Sequence, residues 1–413
     1  MVGPQVTGYL YPWDVLGDRE AVEWIKDSGV DRVALAAAYH SVRAGTPRHP
    51  DRRVVDAGSA ALYVPAGDAF TGQALVPGSA WEWTGTENAF GEAASALRQA
   101  NLPVDAWAVL THSSAAGGNN PGMCVRNAFG EVYSYALCPS HPAVRGYAAG
   151  IVARVLADGQ PDGLILEAVG PLGFSHQNRH EKTEGAEYSP WVQALLSLCF
   201  CAACKAAYEA RGLPAAAQQD RVRAEVVQSG DPELTVATAP NAGDFLPLLE
   251  VRWDATAALL DQCLAAVEAS GSSPRISLHA SPDPWNTGPF LPVESLRRSR
   301  LWGQLGDVTA VVPCWGSPSD GALTVQAMSA AGVRAGAYVL ALPPKSSDGG
   351  GLASEWGALH AAGADELHVY HLGLASTRRL SAISQALARL HYGRGSAPGT
   401  GAAALISSAR PES

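Results

Sequence analysis

Residues 161–204 read PDGLILEAVGPLGFSHQNRHEKTEGAEYSPWVQALLSLCFCAAC, and the fold is inferred outward from this stretch. A short apolar run ends in a carboxylate, Glu167, and a polar loop follows it. The apolar helix pattern that comes next contains Cys199, Cys201 and Cys204. This order of strand, polar loop and helix is typical of one β/α unit, in which functional side chains follow the carboxyl end of the strand.

The same alternation of strand and helix patterns continues along the 413 residues. The strand-like runs are apolar throughout rather than alternating, as buried parallel strands are. This order predicts an α/β fold, a (β/α)8 TIM barrel with irregular loop excursions and a small helical insertion. A doubly wound open sheet is the alternative, although no GxGxxG or GxxxxGK(S/T) motif follows a strand. We expect strands at residues 6–11, 30–38, 104–110, 163–166, 275–278, 308–312, 333–340 and 366–370.

The chain is expected to form one barrel domain over residues 1–392. Residues 191–211 and 293–305 each predict one helix. Residues 213–245, rich in Ala, Gln, Pro and charge, predict a peripheral helical insertion. Residues 393–413, rich in Gly, Ser, Pro and Ala, predict a disordered tail.

The composition argues against a nucleic-acid-binding protein and against a membrane protein. Hydrophobic residues make up 47% of the chain and the net charge is -10, which is unlike the basic footprint of a nucleic-acid-binding protein. No apolar run reaches the ~18 residues of a membrane span, and the N-terminus carries no secretory signal pattern. The seven cysteines are an odd count in a long chain, which favours a metal or free thiols over disulfides. We expect a cytoplasmic protein that binds neither nucleic acid nor membrane and is compatible with an oligomer.

Polar and aromatic residues recur where the predicted strands end. The catalytic groups of a TIM barrel lie at the carboxyl ends of its strands. For any one of these residues alone, a packed or hydrogen-bonded position on the barrel rim is the alternative. The expected substrate-binding residues, taken from the strand ends and from the loop after the fourth strand, are Trp13, Tyr39, His40, His112, His176, His180, His279, Trp315 and His371.

Glu167 is the leading catalytic candidate. It ends the apolar strand DGLILE, where an unpaired carboxylate is costly to bury. A carboxylic acid in a partly apolar cleft has a raised pKa and can act as a general acid, whereas a salt bridge to an arginine is the structural alternative. The following loop offers His176, His180 and Glu181 without the HExxH order of a zinc site, and we expect it to contact substrate rather than metal. A solvated loop is the alternative.

The cysteine cluster predicts a metal site. The spacing CxCxxC places Cys199, Cys201 and Cys204 close together, and Zn²⁺ takes four ligands in a tetrahedron. Cys138 and Cys124 are the candidates for the fourth ligand. The alternative is a set of buried thiols without a metal.

The segment CFCAACKAAYEARG at residues 199–212 resembles the cysteine segment of the zinc-containing β-galactosidases of glycoside hydrolase family 42. The resemblance covers residues 130–212 and includes LCPSHPAVRGY at residues 137–147. It implies a structural Zn²⁺ held by Cys138 together with Cys199, Cys201 and Cys204. It also implies a carbohydrate substrate and an acid/base role for Glu167.

The chain departs from that family at two places. Leu166 precedes Glu167 where the family has Asn, and strand seven reads GAYVLALPP without the nucleophilic glutamate. A second carboxylate for a glycosidase would therefore come from Asp14, Glu181 or Asp283.

Two other functions remain open at the level of sequence. One is a metal-dependent hydrolase or isomerase with strand-end histidines as ligands, motivated by His40, His112, His279 and His371. The other is a non-catalytic carbohydrate-binding barrel, motivated by the missing carboxylate of strand seven.

Overall fold

Parallel strands form a closed barrel in the structure, a computed structural model that describes residues 3–176 and 182–392. Each strand pairs with the next along the chain, and the last pairs with the first through the register Thr7↔His368. The predicted TIM barrel is therefore confirmed, and the open sheet is wrong because its end strands would stay unpaired. The strands are β1 (Gln5–Leu10), β2 (Arg32–Tyr39), β3 (Val104–Val109), β4 (Gly163–Glu167), β5 (Arg275–Ser281), β6 (Val308–Pro313), β7 (Arg334–Leu340) and β8 (Ala364–Tyr370).

Helices follow the strands and pack around the barrel. None of the helices in the described ranges is long and apolar enough to span a membrane. The main helices are α1 (Ala21–Asp27), α2 (Ala89–Gln99), α3 (Pro142–Arg154), α4 (Pro190–Leu196), α5 (Ala202–Glu209), α6 (Ala215–Gln228), α7 (Leu246–Ser270), α8 (Val293–Arg298), α9 (Pro318–Ala330), α10 (Gly349–Ala361) and α11 (Thr377–Tyr392).

Two of the predicted helices are interrupted. The segment 191–211 forms α4 and α5 with a break between them, and residues 293–305 form α8 followed by a 3₁₀ segment. In the break after α4, the backbone N–H of Phe200 donates to Arg126 O at 2.6 Å, and the N–H of Arg126 lies 3.5 Å from Cys199 Sγ. The prediction of one cysteine helix was wrong because this backbone pairs with another segment instead of continuing the helix ladder.

The loop excursions contain short elements of their own. Helix α6 occupies much of the insertion expected at residues 213–245, and Gln219 on α6 donates to Ala128 O at 2.6 Å. The expected tail at 393–413 lies outside the described residues. The excursions include the strand pairs Val42–Gly45 with Val54–Ala57 and Cys124–Arg126 with Val132–Leu137, and the short helices Trp81–Thr84 and Ser114–Asn119.

The barrel interior is partly polar. On β8 the side chains of Glu366, His368 and Tyr370 alternate with the apolar Leu367 and Val369, as the period of two along a strand requires. Glu366 and His368 are 1% and 0% exposed. Strand β8 therefore places a column of polar groups inside the barrel, beneath the rim where the strands end.

Candidate active site

Glu167 lies at the carboxyl end of β4 and is 8% exposed. Trp107 on β3 donates its Nε1–H to Oε2 of Glu167 at 2.6 Å. His279 on β5 places Nδ1 3.3 Å from the same oxygen. The two neighbouring strands thus hold the carboxyl group between an indole donor and an imidazole nitrogen.

The backbone after Glu167 is fixed in an unusual conformation. Ala168 has φ +52°, a left-handed conformation that costs energy for a residue with a Cβ. Its N–H donates to Pro289 O at 2.9 Å, while its carbonyl accepts from the N–H and the hydroxyl of Thr111 at 3.0 and 2.8 Å. These bonds to neighbouring segments set the direction in which the chain leaves β4.

The environment of Glu167 favours the neutral acid. Burial raises the pKa of Glu167 from 4.5 to about 7, and the hydrogen bond from Trp107 partly offsets that rise. Burial lowers the pKa of His279 well below its ordinary 6.5. At pH 7 about half of this carboxyl group is therefore protonated, it faces a neutral imidazole, and the protonated form is the one that a general acid needs.

Aromatic rings extend from Glu167 in two directions along the rim. On one side, Trp107 is followed by Tyr39, His40, His112 and His176, with successive ring centroids 4.5, 4.1, 4.4 and 4.5 Å apart. We call these five residues the histidine arm. His40 in its middle and His176 at its far end are half-buried, so they retain surface that a ligand can reach.

On the other side, His279 stacks on Phe290 at 5.2 Å, and Phe290 contacts Trp315 at 6.3 Å. Trp315 is 41% exposed and lies 5.3 Å from Tyr338 and 6.0 Å from the half-buried Tyr370. Glu167 therefore lies between the histidine arm and a second aromatic group that ends in an exposed indole.

Other expected substrate contacts are fully buried in the structure. Trp13 stacks on Tyr11 at 4.5 Å, and His371 lies 4.4 Å from the same ring. Trp13, His279 and His371 are each 0% exposed. Their position is that of packed residues supporting the rim.

Asp14 is buried in a separate pocket. Its Oδ2 accepts the N–H of Tyr11 at 2.8 Å, and it shares a small cavity with Arg48, His49 and Gly373. Burial raises the pKa of Asp14 from 3.8 to about 7, against the hydrogen bond from Tyr11 and the charge of Arg48. These contacts join Asp14 to the start of the chain and to the loop after β8.

Asp283 is exposed and caps a turn, since its Oδ1 accepts the N–H of Trp285 at 2.9 Å. Glu181 and His180 lie outside the described residues. Within residues 3–176 and 182–392, no ion pair or hydrogen bond links Glu167 to a second carboxylate. The structure brings Glu167 into contact with His279, whereas the contacts of Asp14 and Asp283 are with other residues.

The four cysteines expected to bind metal converge. Cys138, Cys199, Cys201 and Cys204 are buried, and their Sγ atoms all lie within 4.8 Å of one another. Cys138 Sγ lies 3.5 Å from Cys204 Sγ and 3.8 Å from those of Cys199 and Cys201. Cys124 instead places its thiol 3.4 Å from Gly117 O. The geometry therefore supports Cys138, and not Cys124, as the fourth ligand.

The spacing of these thiols fits zinc. A tetrahedron with Zn–S bonds of about 2.3 Å has S···S edges of about 3.8 Å, whereas a disulfide needs about 2.05 Å. The backbone N–H of Cys201 lies 3.4 Å from Cys199 Sγ, which is a favourable donor to a thiolate. In the described part of the chain, this is the only group of three or more His, Cys, Asp or Glu residues with the spacing of a metal site. The strand-end histidines do not form such a group.

Sequence reasoning missed four polar residues of the barrel interior. Trp107 contacts Glu167 directly. Tyr9 contacts His279 and His368, and His368 contacts Glu366. The period of two on β8 was the available signal for Glu366 and His368. Trp107 had no such signal, because a tryptophan within an apolar strand reads as core.

No protein-family model and no curated protein matches the sequence. Among solved structures, the chain is similar to an α-L-fucosidase isoenzyme from Paenibacillus thiaminolyticus at 10% identity and TM-score 0.54, covering 94% of this chain and 49% of that one. It is similar to the glycoside hydrolase domain of PgaB from Bordetella bronchiseptica at 14% identity and TM-score 0.56, covering 94% and 99%.

A third similar structure is a GH42 β-galactosidase from G. stearothermophilus, at 12% identity and TM-score 0.52, covering 95% of this chain and 57% of that one. The chain thus spans about half of the fucosidase and of the galactosidase chains, and nearly all of the PgaB domain. At these identities the likeness concerns the fold. The chain therefore has the TIM-barrel fold that these structures share.

Proposed function

We propose that the chain is a carbohydrate-active enzyme of the glycoside hydrolase type, in which Glu167 is the general acid. The observation that carries the proposal is a buried carboxyl group at the end of β4 with a pKa raised to about 7. Its fold is shared by the glycoside hydrolases named above. In a TIM barrel, the ends of the strands are where catalytic residues are placed.

The chemistry follows from the state of Glu167. Near pH 7 a large fraction of this carboxyl group is protonated, so it can give a proton to the leaving oxygen of a glycosidic bond. The hydrogen bond from Trp107 then supports the carboxylate that remains. Burial keeps the proton on Glu167 near pH 7, and the indole N–H lowers the cost of the carboxylate that proton donation leaves.

The aromatic groups on both sides of Glu167 support a carbohydrate ligand. The exposed face of Trp315 is the proposed stacking surface for a sugar ring, and His40 and His176 of the histidine arm are the proposed partners for hydroxyl groups. Buried Tyr39 and His112 support that arm from beneath. The substrate class is therefore a glycoside, bound across the rim between the ends of β2 and β6.

Zinc has a structural role in this proposal. The thiols of Cys138, Cys199, Cys201 and Cys204 would hold it, and four thiolates leave no open position for substrate or water. The ion would join the loop before α3 to the break between α4 and α5. Thiolate coordination stabilises the wall of the barrel next to β4 and takes no part in proton transfer.

The test is a comparison of leaving groups. Glu167→Gln should lower kcat/KM on 4-nitrophenyl glycosides by about 10²- to 10⁴-fold, the usual contribution of a general acid. The loss should be much smaller on 2,4-dinitrophenyl glycosides, because that leaving group needs little protonation. Asp14→Asn is the matched control, since Asp14 is a second buried carboxyl group with a raised pKa in another pocket. Equal turnover by wild type and Glu167→Gln across the panel would contradict the assignment.

A non-catalytic carbohydrate-binding barrel is the second candidate. It is favoured by one observation, that the contacts of Asp14 and Asp283 do not join either carboxylate to Glu167. This candidate predicts that oligosaccharides bind with an affinity that Trp315→Ala reduces, while no glycoside in the panel is hydrolysed.

A further inference from the structure

Buried polar side chains run from Glu167 through the barrel interior to its opposite face. His279 Nδ1 lies 3.3 Å from Glu167 Oε2, and its Nε2 lies 3.1 Å from the hydroxyl of Tyr9. The same hydroxyl lies 3.1 Å from His368 Nδ1, and His368 Nε2 lies 3.3 Å from Glu366 Oε2. We call these five residues the axial chain. Its members come from β1, β4, β5 and β8, and three of them are 0% exposed.

Glu366 fixes one end of the axial chain as an ionised carboxylate. Arg275 donates to its Oε2 at 2.5 Å, Arg334 lies 3.2 Å from Oε1, and Thr309 donates to Oε1 at 2.8 Å. Burial acts to raise the pKa of Glu366, but His368 and then Arg275 outweigh it and hold the pKa well below its usual range. An ionised carboxylate only accepts hydrogen bonds, so His368 must carry a proton on Nε2.

That proton sets the direction of the remaining bonds. In its neutral form, with the single ring proton on Nε2, His368 has a bare Nδ1, which accepts the hydroxyl proton of Tyr9. The oxygen of Tyr9 then accepts from Nε2–H of His279. Because His279 is neutral when its pKa lies well below 6.5, its Nδ1 is left as a bare acceptor that faces Glu167.

The group that lies against this acceptor is Glu167. Nδ1 of His279 is buried and makes no aligned hydrogen bond to a carboxylate in the structure, although Glu167 Oε2 lies 3.3 Å away. Two acceptors facing each other gain nothing, whereas a protonated Glu167 can donate to Nδ1 after a small turn of its carboxyl group. Such contacts are often loosely aligned in the absence of substrate.

We propose that Tyr9 and His368 are positioning residues for Glu167: with Glu366 as the anchor, they fix the tautomer of His279 and thereby hold Glu167 in its protonated form. The inference rests on the proposed role of Glu167 as the general acid and explains how the barrel maintains it.

The other groups that face the axial chain are Trp107, Tyr39, Tyr338 and Tyr370 around Glu167, the Arg32–Asp105 ion pair near Tyr9, and Arg275, Arg334 and Thr309 around Glu366.

The test is NMR of the full-length protein labelled with ¹⁵N-histidine. The wild type at pH 6 should show His279 with its proton on Nε2 and a bare Nδ1. Tyr9→Phe removes the hydroxyl and keeps the ring that packs 4.9 Å from Trp107. In this variant His279 should move its proton to Nδ1 and donate it to Glu167. The midpoint of the Glu167 carboxyl band in infrared titrations should then fall by about one pH unit, the value of one modest hydrogen bond.

Tyr338→Phe is the matched control, because Tyr338 lies 4.9 Å from Tyr9 and 4.7 Å from His279 but is not a member of the axial chain. It should leave the tautomer of His279 unchanged. A wild-type spectrum with the proton on Nδ1 of His279 would overturn the inference without any variant. So would an unchanged tautomer and carboxyl midpoint in a folded Tyr9→Phe protein.

These readouts do not depend on turnover. If the tautomers follow the expected pattern but no glycoside is hydrolysed, the proposed function fails and the control of Glu167 by the axial chain stands. If Glu167 proves to be the general acid but Tyr9→Phe leaves the alkaline limb of kcat/KM unmoved, the function stands and the inference fails.

Discussion

Replacing Glu167 by glutamine should make the protein more stable at alkaline pH. The folded protein binds the proton of Glu167 more tightly than the unfolded chain does, because burial raises the pKa from 4.5 to about 7. The bound proton makes its full contribution to the free energy of unfolding below pH 4.5. That contribution is lost as the pH rises through about 7. Glutamine resembles the protonated acid, since it accepts from Trp107 and donates toward His279, and it has no charge to bury.

The magnitude follows from the two pKa values. A difference of about 2.5 between 4.5 and about 7 corresponds to about 3 kcal/mol of unfolding free energy, at about 1.4 kcal/mol for each pKa unit. Glu167→Gln should therefore match the wild type at pH 4 and exceed it by about 3 kcal/mol at pH 9. A group selected for catalysis is expected to cost stability in this way.

The assay is urea unfolding of both proteins at each pH from 4 to 9. The difference between variant and wild type isolates Glu167 from other titrating groups. Asp14→Asn is the control for a buried carboxyl group outside the proposed site, and it should show its own rise near pH 7. A difference between Glu167→Gln and wild type that stays constant from pH 4 to 9 would refute the reasoning, because Glu167 would then carry the same charge in the folded and unfolded states.

Three further outcomes are expected. Trp107→Phe removes the hydrogen bond that lowers the pKa of Glu167, so the alkaline limb of activity should move up by about one pH unit in a pH–rate profile. The purified protein should contain one zinc per chain by elemental analysis. Cys204→Ser should lose the zinc together with about 3 kcal/mol of stability when free zinc exceeds the dissociation constant 100-fold. Gly373→Ala should destabilise the protein by about 1 to 3 kcal/mol in urea unfolding, because its methyl group would collide with the carboxyl group of Asp14.

The zinc and Gly373 outcomes each have a matched control. Cys263→Ser changes a buried cysteine outside the cluster and should leave the zinc content unchanged. Gly357→Ala places a methyl group within helix α10 with its nearest neighbour at 3.6 Å, and should be neutral or stabilising. The zinc assignment would be contradicted if zinc persisted in Cys204→Ser. The role of Trp107 would be contradicted by a Trp107→Phe profile that moves to lower pH. The packing argument would be contradicted by a Gly373→Ala protein as stable as wild type.

Much of the fold could be predicted from local patterns. The apolar runs located all of the barrel strands to within a few residues, because buried parallel strands are apolar along their whole length. The cysteine spacing located three of the metal-site thiols, and the resemblance supplied Cys138. The helix over 191–211 was wrongly expected to be continuous, since its interruption depends on Arg126, a residue far away in the sequence.

The site was less accessible from sequence. Glu167 was found because a carboxylate that ends an apolar strand is conspicuous. Asp14 and Asp283 looked equivalent to each other as partners, and only their contacts distinguish the buried turn of Asp14 from the exposed turn of Asp283. Strand-end residues share an edge of the barrel, but their side chains need not share a pocket.

The sequence by itself determined the order of strands and helices and the closeness of Cys199, Cys201 and Cys204, because hydrophobic period and ligand spacing act over a few residues. Only the tertiary structure decided the surroundings of Glu167. Tyr9 meets His279 across 270 positions and His368 across 359, and these contacts exist because β8 closes the barrel against β1. The pKa of a buried acid depends on the groups packed around it, and closure of the barrel determines which groups those are.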